Sequence, residues 1–159
     1  MNKLLRLSVA LLLLSFKALA QKDAKDCQDP PHFSRPEHFF IDSCDNHYGT
    51  YRFRVRPNQP AQPVLGNATT YRYSADRKTT SPMADATQLL SFYEQVIRSN
   101  NGKVIYADAG EGSYTMIKDG KEYWLSISEI RPAGAKSAVS AYTLTLLEKK
   151  APMIRKPAR

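Results

Sequence analysis

Between residues 38 and 148 the hydrophobic pattern has two periods. Most segments place an apolar side chain at every second position, as a half-buried strand does, and one places them three and four apart, as a helix does. His38-Phe39-Phe40-Ile41-Asp42-Ser43 is a short apolar run that ends in turn residues, which predicts a first strand. From Tyr48 to Arg56 the residues Tyr51, Phe53 and Val55 alternate with Arg52, Arg54 and Arg56, which predicts a strand with a basic outer face. Pro57, Pro60 and Pro63 close it, and a further β-type run extends from Val64 to Tyr73, with Gly66-Asn67 read as a bulge or kink near its start.

The helical pattern is Ala86, Leu89, Leu90, Tyr93, Val96 and Ile97, a single apolar stripe. Thr80-Ser81-Pro82 offers an N-cap hydroxyl and a first-turn proline, Asp85 falls in the first turn, and Asn100-Asn101-Gly102 supplies a left-handed stop. Four β-type runs follow: Lys103 to Ala107, Ser113 to Lys118, Tyr123 to Ile130 and Ala138 to Leu147. Asp119-Gly120 reads as a two-residue hairpin turn. Tyr123, Leu125 and Ile127 share one face, as do Tyr142, Leu144 and Leu146, and both faces are expected to meet the helix. The predicted fold is α+β in two layers, one main helix at about 82–100 packed on an antiparallel sheet of five or six strands.

The ends of the chain read differently. Lys3 and Arg6 precede an apolar stretch from Leu7 to Phe16, too short to cross a bilayer, and Ala18-Leu19-Ala20 completes the pattern of a secretory signal peptide over residues 1–20. Residues 21–37 form an irregular, Pro-rich opening segment, residues 38–148 a single α+β domain, and residues 149–159 a basic tail expected to be disordered. Export changes the charge arithmetic: the formal +8 includes three cations of the leader, and the remainder carries 20 cations against 15 acids, or +5. That surplus is too small and too scattered for a nucleic-acid binder. The expected compartment is the periplasm, or alternatively a secreted or outer-membrane-associated location, with the tail able to touch a membrane surface peripherally.

In an oxidising compartment Cys27 and Cys44 are expected to pair as a disulfide. The competing reading is a metal site drawing on His32, His38 and His47, with Cys44 and His47 at a finger-like spacing, but Cys27 has no histidine or cysteine within four residues. The signatures of nucleophilic, zinc-hydrolase, nucleotide and dithiol chemistry are missing from the sequence. No catalytic residue, cofactor or metal is therefore assigned, although Asp108 and Glu111 flank Gly110 as a conceivable carboxylate pair. Nine tyrosines are the compositional excess. They read either as good strand formers or as an exposed aromatic face, and the second reading nominates Tyr51, Tyr71 and Tyr73 with Arg52, Arg54 and Arg72 as a partner-binding surface.

Four stretches carry a family resemblance. Residues 26–41, through Asp29-Pro30-Pro31-His32-Phe33-Ser34-Arg35-Pro36, resemble a "D-H-P-L-F-S-R-x-P-x-x-x-I" opening; Phe92-Tyr93-Glu94 with Asn101-Gly102-Lys103-Val104-Ile105-Tyr106 resembles an "N-Y-E-x-A-L-x-x-x-G-G-x-V-L-Y" helix-to-strand junction. Lys118-Asp119-Gly120-Lys121-Glu122-Tyr123-Trp124-Leu125 resembles the hairpin that follows, and Tyr142-Thr143-Leu144-Thr145-Leu146-Leu147-Glu148-Lys149 a "Y-x-L-x-x-x-E" strand. These belong to the domain found upstream of the OmpA-like peptidoglycan-binding domain in Gram-negative envelope proteins. The resemblance implies an envelope location and an α+β fold for a stand-alone copy of that domain, and no peptidoglycan-binding residues are carried over. The expected function is that of a non-enzymatic envelope protein binding a protein or a cell-wall glycan. A wall-acting enzyme or enzyme inhibitor is the alternative, and a metal-carrying envelope protein the weaker one.

Overall fold

Alternating segments of this length can bury one face only by pairing edge to edge and receiving a cover, and that is how the chain is arranged. The computed structural model describes residues 23–76, 78, 84–108, 110–132 and 138–150. The strands are β1 (Phe39–Phe53), β2 (Gln62–Ala75), β3 (Lys103–Asp108), β4 (Glu111–Lys118), β5 (Lys121–Pro132) and β6 (Val139–Lys149), with one helix, α1 (Ala86–Ser99), between β2 and β3. They form a single six-stranded sheet in the order β1-β2-β6-β5-β4-β3, every neighbouring pair antiparallel. The α+β architecture with one main helix on an antiparallel sheet is therefore as the periodicity predicts, with six strands.

Several boundaries differ. Residues 38–43 and 48–56 were expected as two strands, but β1 runs unbroken from Phe39 to Phe53. The polar stretch Asp45-Asn46-His47 does not interrupt it, because a strand at the sheet margin keeps its ladder to one neighbour whatever its side chains do. The irregularity lies between Ile41 and Ser43 of β1, whereas β2 passes through Gly66-Asn67 in continuous register with β1. Gly66 has a packing reason instead: a Cβ there would stand 2.2 Å from the backbone oxygen of Glu148 in β6. The helix starts at Ala86 rather than near 82. Asp85 is its N-cap, accepting from the Gln88 amide at 2.8 Å while its own amide donates to the Gln88 side chain at 3.0 Å, a complete capping box. Thr80-Ser81-Pro82 lie outside the described residues, as do residues 1–20 and 151–159. At the far end Asn101 takes the left-handed conformation (φ 57°), and Asp119 (φ 50°) and Gly120 (φ 73°) form the expected hairpin turn.

The helix lies over β3, β4 and β5 and buries Leu89, Leu90, Tyr93 and Ile97. Beneath it the inward positions of the strands supply Tyr73, Tyr114, Leu125, Ile127, Tyr142 and Leu144. A second, smaller core of Phe53, Val64, Ala68, Trp124 and Leu147 occupies the opposite face. It forms because the β1–β2 hairpin reaches across that face: the Phe53 and Trp124 rings are 5.3 Å apart, and Arg54 pairs with Glu111 and lies 5.8 Å from the Tyr106 ring centre.

Candidate ligand groove

The helix does not extend over β1 and β2, and the opening segment fills part of that gap. Cys27 and Cys44 are joined in a disulfide, which staples the segment to β1. Arg35 donates two hydrogen bonds to Asp23, at 2.6 and 2.7 Å, and its Nε stands 3.5 Å from Asp29. Asp23 also accepts the Ile41 amide at 2.8 Å. The hydrogen bond from Arg35 and that amide together hold the Asp23 carboxyl below the usual carboxylate range, against the opposing effect of partial burial. Phe33 is buried in the core, so the segment is anchored by an apolar side chain as well as by ions.

Between this segment and the sheet runs a groove of three adjoining hollows with volumes of about 300, 250 and 340 Å³. Asp26, Gln28, Asp29 and Pro31 form its outer wall, and Cys44, Asn46, Asn67, Thr69 and Tyr71 its floor on β1 and β2. Toward β6 and β5 it is lined by Leu146, Glu148 and Tyr123, and it opens at the sheet margin beside His47 and Tyr48. The floor is preorganised, since the Thr69 hydroxyl donates to the Asn46 side-chain oxygen at 2.7 Å. Among the described residues, two of the groove's acids are paired and one is not: Asp29 faces Arg35, Glu148 is flanked by Lys150 and by Lys121 at 3.0 Å, contacts that lower its carboxyl below the ordinary range, and Asp26 stands exposed on the wall. What remains toward solvent is mostly amide and hydroxyl groups with the Tyr123 ring, a lining suited to a polar, hydroxyl-rich ligand.

The six residues nominated as a partner-binding surface do not form one face. Tyr73 is buried, donates to Asp29 at 3.0 Å and stacks on Tyr142 at 4.8 Å. The Tyr142 and Tyr93 hydroxyls are hydrogen-bonded to each other at 2.8 Å inside the core, and burial pushes all three phenols upward. An exposed aromatic face built on Tyr71 and Tyr73 is thus corrected: they point under the opening segment, and Tyr71 reaches the surface only through the groove floor. Arg72 projects from the opposite face toward Glu129, 3.9 Å away. Tyr51 packs against the second core, Arg54 is taken by Glu111, and Arg52 is exposed on β1.

The other candidates are likewise scattered. His32 lies 3.8 Å from Asp119, His38 4.0 Å from Glu37, and His47 against the Tyr51 ring, and among the described residues no group of three His, Cys, Asp or Glu could hold a metal ion. Asp108 and Glu111 face each other across the β3–β4 turn, Asp108 accepting from Tyr106 at 3.1 Å and Glu111 paired with Arg54. The groove residues Asn46, Asn67, Thr69, Tyr123 and Glu148 went unnoticed in the sequence as a set. A signal existed: Asn67 and Thr69 share the inward parity of Tyr71 and Tyr73, and polar residues at inward positions mark a face that the core does not fill. No protein-family model, no curated protein and no solved structure matches the chain.

Proposed function

We propose that this chain is a non-enzymatic envelope protein of the periplasm that captures a cell-wall glycan in the groove between its opening segment and β1, β2 and β6. The observation that carries the reading is the lining itself. Planar amides at Asn46, Asn67 and Gln28 and the Thr69 hydroxyl suit the paired hydroxyls of a sugar, and the half-buried Tyr123 offers ring surface, while Asp29 and Glu148 are already paired. The leader-like first twenty residues, the disulfide and the resemblance to the domain preceding OmpA-like peptidoglycan-binding domains support the compartment.

One observation favours a second reading, an extended protein segment as the partner: β1 is an edge strand beside the groove mouth, and beyond Ile41, whose amide and carbonyl bond Asp23 and Ala24, no described strand pairs with its outer side. Calorimetric titration of soluble peptidoglycan fragments into the purified protein separates the two. The glycan reading expects saturable binding that falls about tenfold or more in Asn46→Ala/Asn67→Ala with the melting temperature kept, two lost polar contacts of about 1 kcal/mol each being ample. Absence of binding by wild type, or equal binding by the variant, would overturn it.

A further inference from the structure

Five lysines are gathered at one end of the sheet. β3 begins there with Lys103, the β4–β5 hairpin turns there through Lys118, Asp119, Gly120 and Lys121, and β6 leads there into Lys149 and Lys150. Contacts fix the placement: Lys121 reaches Glu148 at 3.0 Å, Lys149 reaches Glu122 at 2.7 Å, and Lys103 lines a hollow of about 180 Å³ together with Ile117 and Glu122. Beyond Lys150 the sequence adds Arg155, Lys156 and Arg159 and no acid. Among the described residues, the five lysines at this end face Asp119, Glu122 and Glu148, a local surplus of +2.

The same end carries an exposed apolar side chain. Ile117 precedes the turn and is 72% exposed, more than any other large hydrophobic residue described. Its neighbour Met116 turns into the core, its strand partner is the charged Glu122, and among the described residues Ile117 belongs to neither core. A bare isoleucine on a lysine-rich hairpin tip fits the boundary between lipid headgroups and acyl chains, where ammonium groups meet phosphates and the apolar side chain leaves water. The exposed pairs of Lys121, Lys149 and Lys150 are no obstacle, because surface ion pairs are weak and exchange readily for phosphate partners.

We propose that this end of the sheet docks reversibly on an anionic phospholipid surface, through Ile117 and the lysines of the β3 start, the β4–β5 hairpin and the β6 end. Ile117, Lys103 and Lys118 do not line the groove, so the proposal stands apart from the glycan reading. The test is co-sedimentation of the mature chain with phosphatidylcholine vesicles, with and without phosphatidylglycerol at about one-third of the lipid. Expected is a preference for the anionic vesicles of about tenfold or more, lost at high salt. In Lys103→Glu/Lys118→Glu the partitioning falls by about tenfold or more, and in Ile117→Ser it falls several-fold with its salt dependence kept. Circular dichroism and melting of each variant verify that these exposed substitutions leave the fold intact. Equal partitioning into the two vesicle types, or none, overturns the proposal. So does binding that survives all three substitutions and vanishes when residues 151–159 are removed, since the tail alone would then be the anchor.

Discussion

At the scale of single residues, the tyrosines change meaning between sequence and structure. Tyr73, Tyr93 and Tyr142 are core residues whose hydroxyls find one another or Asp29, so each contributes ring area without leaving a polar atom unpaired. Tyr142→Phe should cost about 1–3 kcal/mol in urea denaturation, because it strands the Tyr93 hydroxyl, while adding Tyr93→Phe should recover part of the loss. A double variant no better than the sum of the singles would argue against the pair. Alternation in sequence finds such residues but cannot say which face is covered, since that depends on where the opening segment lies. Asp23 offers a pH test. Its folded carboxyl is held down chiefly by the Arg35 hydrogen bond, so its stabilisation is complete above the unfolded value of about 4 and is lost as pH falls through the lower folded value. The stability gap between wild type and Asp23→Asn should therefore be widest at neutral pH and close in acid. A gap independent of pH would contradict the assignment.

Among the elements, those with strong local signals were legible and those decided by tertiary contacts were not. The apolar stripe from Ala86 to Ile97 and the Asp119-Gly120 turn are written in short windows, and both form as expected. The helix start shifts to Asp85 because a capping box with Gln88 satisfies the first amides there. The continuity of β1 through Asp45-Asn46-His47 was not legible, since Asn46 and His47 line a groove rather than end a strand. The opening segment reads as irregular, and its described part is so, yet the disulfide, Phe33 and the Arg35 pairs make it a fixed wall of the groove. Replacing both cysteines by serine should lower stability by about 3 kcal/mol by the loop-entropy argument and weaken glycan capture beyond that, as the wall is released. Calorimetry on the folded variant at low temperature checks the second part, and undiminished affinity would show that the wall is not needed.

On the scale of the whole molecule, the fold divides its two faces and its ends among different tasks. The helix seals one half of the sheet, the opening segment frames a groove on the other, and the β1–β2 hairpin closes part of the back. The fold class was legible because one helical stripe amid alternating strands admits few two-layer solutions. The groove was not, because it joins residues from the opening segment, β1, β2, β5 and β6 that only the strand order β1-β2-β6-β5 brings side by side. The central claim is that this groove is the binding site for a wall glycan. Its most direct test is the perturbation of backbone amide NMR signals as soluble peptidoglycan fragments are added to the labelled protein. The account predicts saturable shifts confined to the amides of Asn46, Asn67, Thr69, Tyr71, Tyr123 and the Gln28–Asp29 wall, with those around Phe53 and Trp124 unmoved. Shifts centred on the opposite face, or none at saturating fragment, would contradict it.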